Sequence, residues 1–450
     1  MKEKTLLKEF VRYVALNICG MIGLSCYILA DTFFVSRGLG ANGLAALNLA
    51  IPIYSFVHGS GLMLGMGGAT KYSIYMGQEK PKNANRIYTN TIYAMVVFAV
   101  SFVAIGIFFS GNLALMLGAD KEVFGMTKTY LQVILLFSPA FLANDSLNCF
   151  VRNDGNPKLS MTAMLAGSLS NIVLDYVFIF PLHMGIFGAV LATGFAPVIS
   201  LGVLSKHWIT KNNRFHFEKT KPSLKLVGNI ISLGIPALIT EVVSGIVMIV
   251  FNALILKLQG NIGVAAYGVI ANLSLVVTSV YTGIAQGIQP ILSRFYGYGD
   301  AKSVKQTLKY AVRLMLFISG GIYLCFFMAA NPVVGFFNSE RNMQLQQIAE
   351  TGLKLYFTAI VFVGFNIVIS TYFTSTEKAL PAQIVSLSRG FIFIIPMAFS
   401  ISSLFGMTGV WLSYPTTEGM VALAGAILYK KSIGGKRNVQ GNAEEKTNFN

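Results

Sequence analysis

The sequence predicts an all-α integral membrane protein of twelve transmembrane helices, arranged as two six-helix lobes related by a pseudo-two-fold along the membrane normal. Three observations carry that prediction. Of the 450 residues, 54% are hydrophobic and only 12% charged, about half the charged share of a soluble domain. Apolar stretches of spanning length, about 20 residues for a hydrocarbon core of about 30 Å, recur along nearly the whole chain. The second half also repeats the first, as set out below.

Runs such as Val96 to Phe109 and Ala359 to Ile369 are continuously apolar, whereas a β-barrel would show alternating segments of about ten residues. Spans are read near 10–36, 46–76, 88–110, 124–151, 159–180 and 184–206, then near 227–257, 262–294, 306–331, 350–375, 379–402 and 406–430, each closed by polar or Gly/Pro residues. Residues 1–9 form an amino-terminal segment, 10–206 the first lobe, 207–226 a polar, basic inter-lobe linker, 227–430 the second lobe, and 431–450 a polar tail expected to be disordered. The basic then apolar start, Lys2 to Leu24, has the outline of a signal peptide. Its apolar run continues through Val35 without a small-residue cleavage site, which favours a first span.

A net charge of +16 would suggest a nucleic-acid partner in a soluble protein, but its location assigns it otherwise. With both termini inside, only Arg37, Lys121, Lys128, Lys257, Arg341 and Lys354 fall in outer segments, and every other Lys and Arg obeys the positive-inside rule. No nucleic-acid partner is expected, and both termini are expected in the cytoplasm. Cys19, Cys26, Cys149 and Cys325 lack paired or metal-ligating spacing and read as small buried apolar residues.

The repeat has a spacing of 220 residues. It pairs Gly40 with Gly260, Gly43 with Gly263, Gly67 with Gly287, Gly77 with Gly297 and Lys82 with Lys302; later, at a spacing of 221, Gly185 and Gly188 pair with Gly406 and Gly409. Each half holds an even number of spans, so the copies share one orientation, and carriers built this way bind substrate between the repeats.

Asp31 lies in the apolar run Tyr27 to Val35, where a carboxylate costs several kcal/mol unless it has a partner or a task. The next clear acid of that half is Asp175, with Asn171 one helical turn before it on the same face. Both acids stand roughly 8 Å inward from the outer ends of their spans, and Thr193 roughly 13 Å, by the helical rise. Two carboxylates, an amide oxygen and a hydroxyl make a hard oxygen set suited to an alkali cation such as Na⁺, or to two acids sharing a proton. Carried through the repeat, Asp31 corresponds to Phe251, Asn171 to Ile392, Asp175 to Pro396 and Thr193 to Tyr414. The set is therefore read as a function installed in the first lobe rather than a requirement of the fold.

Four ordered segments resemble the multidrug and toxic compound extrusion (MATE) family, in its bacterial MepA and DinF-like branch: Ala30 to Gly40, Arg152 to Lys158, Asn171 to Asp175, and Gly234-Ile235-Pro236. The resemblance covers roughly residues 8–432. It implies the MATE fold of the MOP superfamily, a V-shaped pair of lobes in a bacterial plasma membrane. The implied activity is antiport: organic cations or other amphipathic compounds leave by alternating access as Na⁺ or H⁺ enters. It implies a coupling-ion site on Asp31, Asn171, Asp175 and Thr193, with Tyr27 and Asn148 lining the same cavity. No cofactor is implied, and a monomer among membrane lipids is expected. One departure concerns a proline that relatives use to bend the first span; Pro236 marks its place in the repeat, and here that place holds Leu16.

Asp145, Glu241 and Glu418 are secondary cavity candidates, each with an interhelical hydrogen bond as its structural alternative, and Arg152 is the alternative partner of Asp145. The lone His58 is expected to be a packing histidine, and Gly61 with Gly65 a close helix contact inside the monomer. A flippase for lipid-linked saccharides, from the same superfamily, is the alternative function. It would favour a strongly cationic cavity. An enzyme is not expected, since neither HExxH nor GxSxG occurs.

Overall fold

The structure, a computed structural model, describes residues 3–338 and 341–447, with side chains as far as Ser432. The expected tail at 431–450 therefore falls almost wholly outside the residues whose side chains are described. Among the described residues all regular structure is helical, as a lipid environment demands of a backbone that must satisfy its own hydrogen bonds. Among the described residues eight helices are long and apolar enough to cross a membrane, and the bent pair Phe124–Leu136 with Ser138–Asn153 makes a ninth. Three of these are double length, and each is broken at a glycine: Gly40 (φ 66°, ψ −159°), Gly260 (φ 62°, ψ −157°) and Gly406 (φ 56°, ψ −132°). Such backbone angles suit only glycine. With those breaks the nine become twelve spans, as the sequence predicts.

The repeat extends to these conformations. Gly185 (φ 63°) opens the sixth span as Gly406 opens the twelfth, and Glu79 (φ 59°) and Gly299 (φ 74°) occupy one repeat position. Gly155 and Glu377, both left-handed, precede the fifth and eleventh spans at a spacing of 222. That adjusts the counterparts of Asn171 and Asp175 by one residue, to Phe393 and Met397, which are apolar like Ile392 and Pro396.

Some boundaries differ from expectation, for local reasons. The first span runs past Arg37 to Gly40, because a long cationic side chain at a helix end folds back onto apolar surface, here over the Phe33 ring at 5.8 Å, instead of stopping the helix. The fourth span is bent by 49° at Phe137, where Pro139 lacks the amide needed to continue the ladder. A 3₁₀ turn at Phe357–Ala359 interrupts the tenth span and a π turn at Ser388–Ile392 the eleventh. At Leu16 the first span is uninterrupted helix.

The lobes are clamped together at the end carrying the amino terminus and the linker, through glycines whose missing side chains admit the partner backbone. A Cβ on Gly67 would stand 2.0 Å from the Ile230 carbonyl oxygen, and one on Gly234 1.8 Å from that of Met63. The pseudo-symmetric contact is Gly287 against Val14, where a Cβ would meet the Val14 Cα at 2.7 Å. Gly77 and Gly297 face each other, each Cβ position 3.1 Å from the other's Cα, so the pseudo-two-fold axis passes between them. Ion pairs Arg294–Glu9 (2.7 Å) and Lys71–Glu377 rim this seam. Farther along the spans the fit loosens: Gly245 meets only the Ile51 side chain, at 3.9 Å.

The outer surface is apolar, with Val97, Phe108 and Phe317 at 64%, 73% and 81% exposure, a lipid-facing belt. Contrary to expectation, Cys19, Cys26 and Cys325 lie on exposed faces and only Cys149 is buried. Apolarity in a membrane helix reports residence in lipid as readily as burial in protein. The linker docks on the first lobe. Phe215 is fully buried among Tyr72, Tyr88, Phe150 and Trp208. Asn85, Thr89 and Asn90 of the third span accept backbone N–H groups of His216, Glu218 and Ser223 at 2.8–3.0 Å. The Asp154 carboxylate accepts from the Tyr72 hydroxyl (2.7 Å) and the Arg214 amide (2.8 Å) and pairs with His207 (2.9 Å), so the segment Arg152 to Lys158 anchors the linker.

Candidate functional site

Asp31, Asn171, Asp175 and Thr193 are brought together from the first, fifth and sixth spans, all buried, Asn171 and Asp175 fully. The carboxyl groups of Asp31 and Asp175 are interacting neighbours. With the Asn171 amide turned to satisfy both its ends, Nδ2 donates to Asp175 Oδ2 at 3.0 Å and the oxygen accepts the Thr193 N–H at 3.2 Å. Asn171 thus holds Asp175 in place, while the Thr193 hydroxyl donates to the Ala189 carbonyl at 3.2 Å. Asp31 Oδ1 and Asp175 Oδ1 are buried with no hydrogen-bond partner among the described residues. Two close carboxyls with spare oxygens and no cationic side chain between them fit a proton or an alkali cation. No cluster of three or more His, Cys, Asp or Glu suited to a metal ion occurs among the described residues.

The equivalent place in the second lobe is aromatic. Phe251 stacks on Tyr267 (5.5 Å between centroids), and Tyr414 lies flat on Tyr356 (4.4 Å, 6°). The side chains of Tyr130 and Thr193 interact in the first lobe, and those of Tyr356 and Tyr414 in the second. Tyr130 escaped the sequence reading because a single Tyr in an apolar span carries no spacing signal.

A cavity that takes in Thr193 of this set is lined by Tyr27, Tyr54, His58, Asp145 and Asn148 of the first lobe and Glu241 of the second. The Tyr27 and Tyr54 hydroxyls are 2.7 Å apart. Asn148 is buried and accepts the Ser160 hydroxyl. His58 has a partner on another helix: its Nδ1 lies 2.9 Å from Asp145 Oδ2. Gly61 makes that approach feasible, since a Cβ there would fall 2.7 Å from the same carboxylate oxygen, and Gly65 likewise meets the Ser146 Cα at 2.9 Å. The glycine pair is thus the expected contact inside the monomer. Arg152, the alternative partner of Asp145, instead donates to Asn17 (3.0 Å) and, across the lobes, to Gln286 (2.7 Å). Tyr54 and His58, one turn apart on a single face, were the available signal.

A second cavity shares Leu62, Glu241 and Gln286 with the first and extends to Asn366 and Arg389. Glu418 is buried behind it, paired with Arg389 (2.5 Å) and bonded by Asn366 (2.7 Å). Removing one member of such a pair strands the other. Arg389→Met is expected to lose about 3–5 kcal/mol of stability and lower the melting midpoint in detergent, with Arg389→Met/Glu418→Gln recovering most of it. An unchanged midpoint in the single variant would contradict this reading.

Two pseudo-symmetric six-helix lobes, clamped at one end, with cavities between them and a buried carboxyl pair in one lobe alone, define a helical membrane transporter of the two-lobe repeat class. The family model MatE matches residues 18–177 and 236–400, one match in each half, and the chain belongs to the MATE family. It is 24% identical over 430 residues to the multidrug export protein MepA of Staphylococcus saprophyticus, covering 95% of this chain and 94% of the relative. To MepA of Staphylococcus haemolyticus it is 26% identical over 433 residues, with the same coverage. Its fold superimposes on a crystal structure of MATE in complex with MaL6 at a TM-score of 0.90 and 22% identity, over 97% of this chain and 100% of that one. It matches an outward-facing multidrug resistance MATE transporter of the MOP superfamily at 0.88 and 22%, over 97% and 99%.

Proposed function

We propose that this chain is a secondary active multidrug exporter of the bacterial plasma membrane, sending organic cations or amphipathic compounds out in exchange for Na⁺ or H⁺. The observation that carries the reading is the Asp31–Asp175 carboxyl pair, buried in one lobe and replaced by aromatics in its repeat. The relatives named multidrug export proteins supply the substrate class. The positive-inside distribution favours a cytoplasmic seam end, and on that reading the seam-closed state faces outward. An ion entering from outside meets the carboxyl pair there, and substrate must prefer the opposite state or be excluded by the ion, because a ligand with equal affinity for both states shifts nothing.

Purified protein in proteoliposomes, loaded with ethidium and given either a Na⁺ gradient or a pH gradient, tests this directly. One gradient alone is expected to drive export and so to name the coupling ion. No transport under either would overturn the reading.

A further inference from the structure

We propose that Asp145 and Glu241 form a cation-binding site between the lobes for the ammonium or other cationic group of the exported molecule, and that the protonated His58 imidazole occupies it as an internal stand-in when substrate is absent. The inference rests on the efflux reading and adds the exchange that substrate itself performs.

Asp145 is 6% exposed, and its one ion partner among the described residues is His58. The contact is short, yet Asp145 Oδ2 has no aligned hydrogen-bond donor, while Oδ1 receives only a long bond from Asn144 at 3.4 Å. In the proposed resting state the imidazolium holds this carboxylate by charge, and Oδ2 keeps its lone pairs for an arriving donor. Glu241 reaches the same place from the other lobe: its Cβ lies 3.2 Å from where a Cβ on Gly59 would stand, beside His58, and it lines both cavities. Tyr54 stacks parallel to the imidazole (5.9 Å, 3°) and Tyr27 bonds Tyr54; a cation between such rings and the acids gains from both. The groups facing His58 are therefore Asp145 from the fourth span, Glu241 from the seventh, Tyr54 from its own and Tyr27 from the first. Cys149 and Arg152 line the same cavity, and Arg152 is engaged with Asn17 and Gln286.

The charge balance is simple. One organic cation takes the carboxylate, the imidazolium gives up one proton to solvent in the cavity, and the net charge of the site is unchanged. No bond other than that N–H breaks.

The test uses full-length protein in detergent carrying Asp31→Asn/Asp175→Asn, so that the carboxyl pair contributes no proton. In that background ethidium binding is expected to release close to one proton per molecule in weakly buffered medium. Its apparent Kd should rise by about tenfold per pH unit toward acid, as one-for-one competition requires. Adding His58→Gln is expected to abolish both the release and the pH dependence while ethidium still binds. Adding Asp145→Asn instead is expected to weaken ethidium at every pH. Proton release or pH dependence that survives His58→Gln overturns the proposal alone. Failure of the wild-type protein to bind ethidium overturns it together with the efflux reading.

Discussion

Asp31→Asn is expected to reduce ethidium export from proteoliposomes to the level of protein-free vesicles, at least about a hundredfold, while the variant still inserts and elutes as a monodisperse species. Asparagine has nearly the same shape, so packing around Asp31 survives, and its counterpart Phe251 shows that the fold does without an acid there. What disappears is the charge that a proton or Na⁺ neutralises. Without a ligand that prefers one state, nothing biases the equilibrium between them; even a swing from 1:99 to 99:1 needs about 5.5 kcal/mol of differential binding. Asp175→Asn should behave alike, because the two carboxyls act as one site. Asn171→Ala should be milder, since it removes only the amide that steadies Asp175. Wild-type efflux by Asp31→Asn would end the assignment.

Gly67→Val is expected to be nearly as damaging by an unrelated route. Its Cβ would stand 2.0 Å from the Ile230 carbonyl oxygen, and a backbone inside a helix cannot step aside as a side chain can. Overpacking by single methylenes already costs about 1–3 kcal/mol, equivalent to roughly fivefold or more in occupancy of the seam-closed state. Export should fall by at least that factor. Spin labels on the two lobes at the seam end should report a longer separation than in wild type. Gly245→Ala is the control: its nearest neighbour is a side-chain carbon at 3.9 Å, and it should transport normally. A Gly67→Val protein with wild-type separation and wild-type export would show that the seam need not close.

The two variants also mark what the sequence could and could not disclose. Asp31 announced itself because a lone acid in an apolar run is costly in any arrangement, and Asp175 with Asn171 because one helical turn fixes a shared face. Gly67, Gly77, Gly287 and Gly297 were visible as repeat partners, but a spacing rule cannot say which face of a helix meets the other lobe, so their use as the seam emerges only in three dimensions. Pro139 stood in plain view inside the fourth span and accounts for its bend. The partner of His58 could not be read from the sequence, because Asp145 lies on another helix and reaches it only through the gap left by Gly61. The cysteines were misplaced because hydropathy does not separate lipid from protein interior.

The linker turns the molecule into a lever. Residues 213–223 are fastened to the first lobe by Phe215 and the third span, so the covalent passage to the second lobe begins at Leu224, on the same helix as Ile230 and Gly234 of the seam. Pivot and latch thus sit at one end, and the arm from Leu224 to Gly260 extends about 54 Å at 1.5 Å per residue. Each degree of tilt at the pivot carries the far rim by about 1 Å by that length. A seam loosened by less than the width of a methyl group can therefore swing the opposite mouth by several ångströms, with no helix needing to bend.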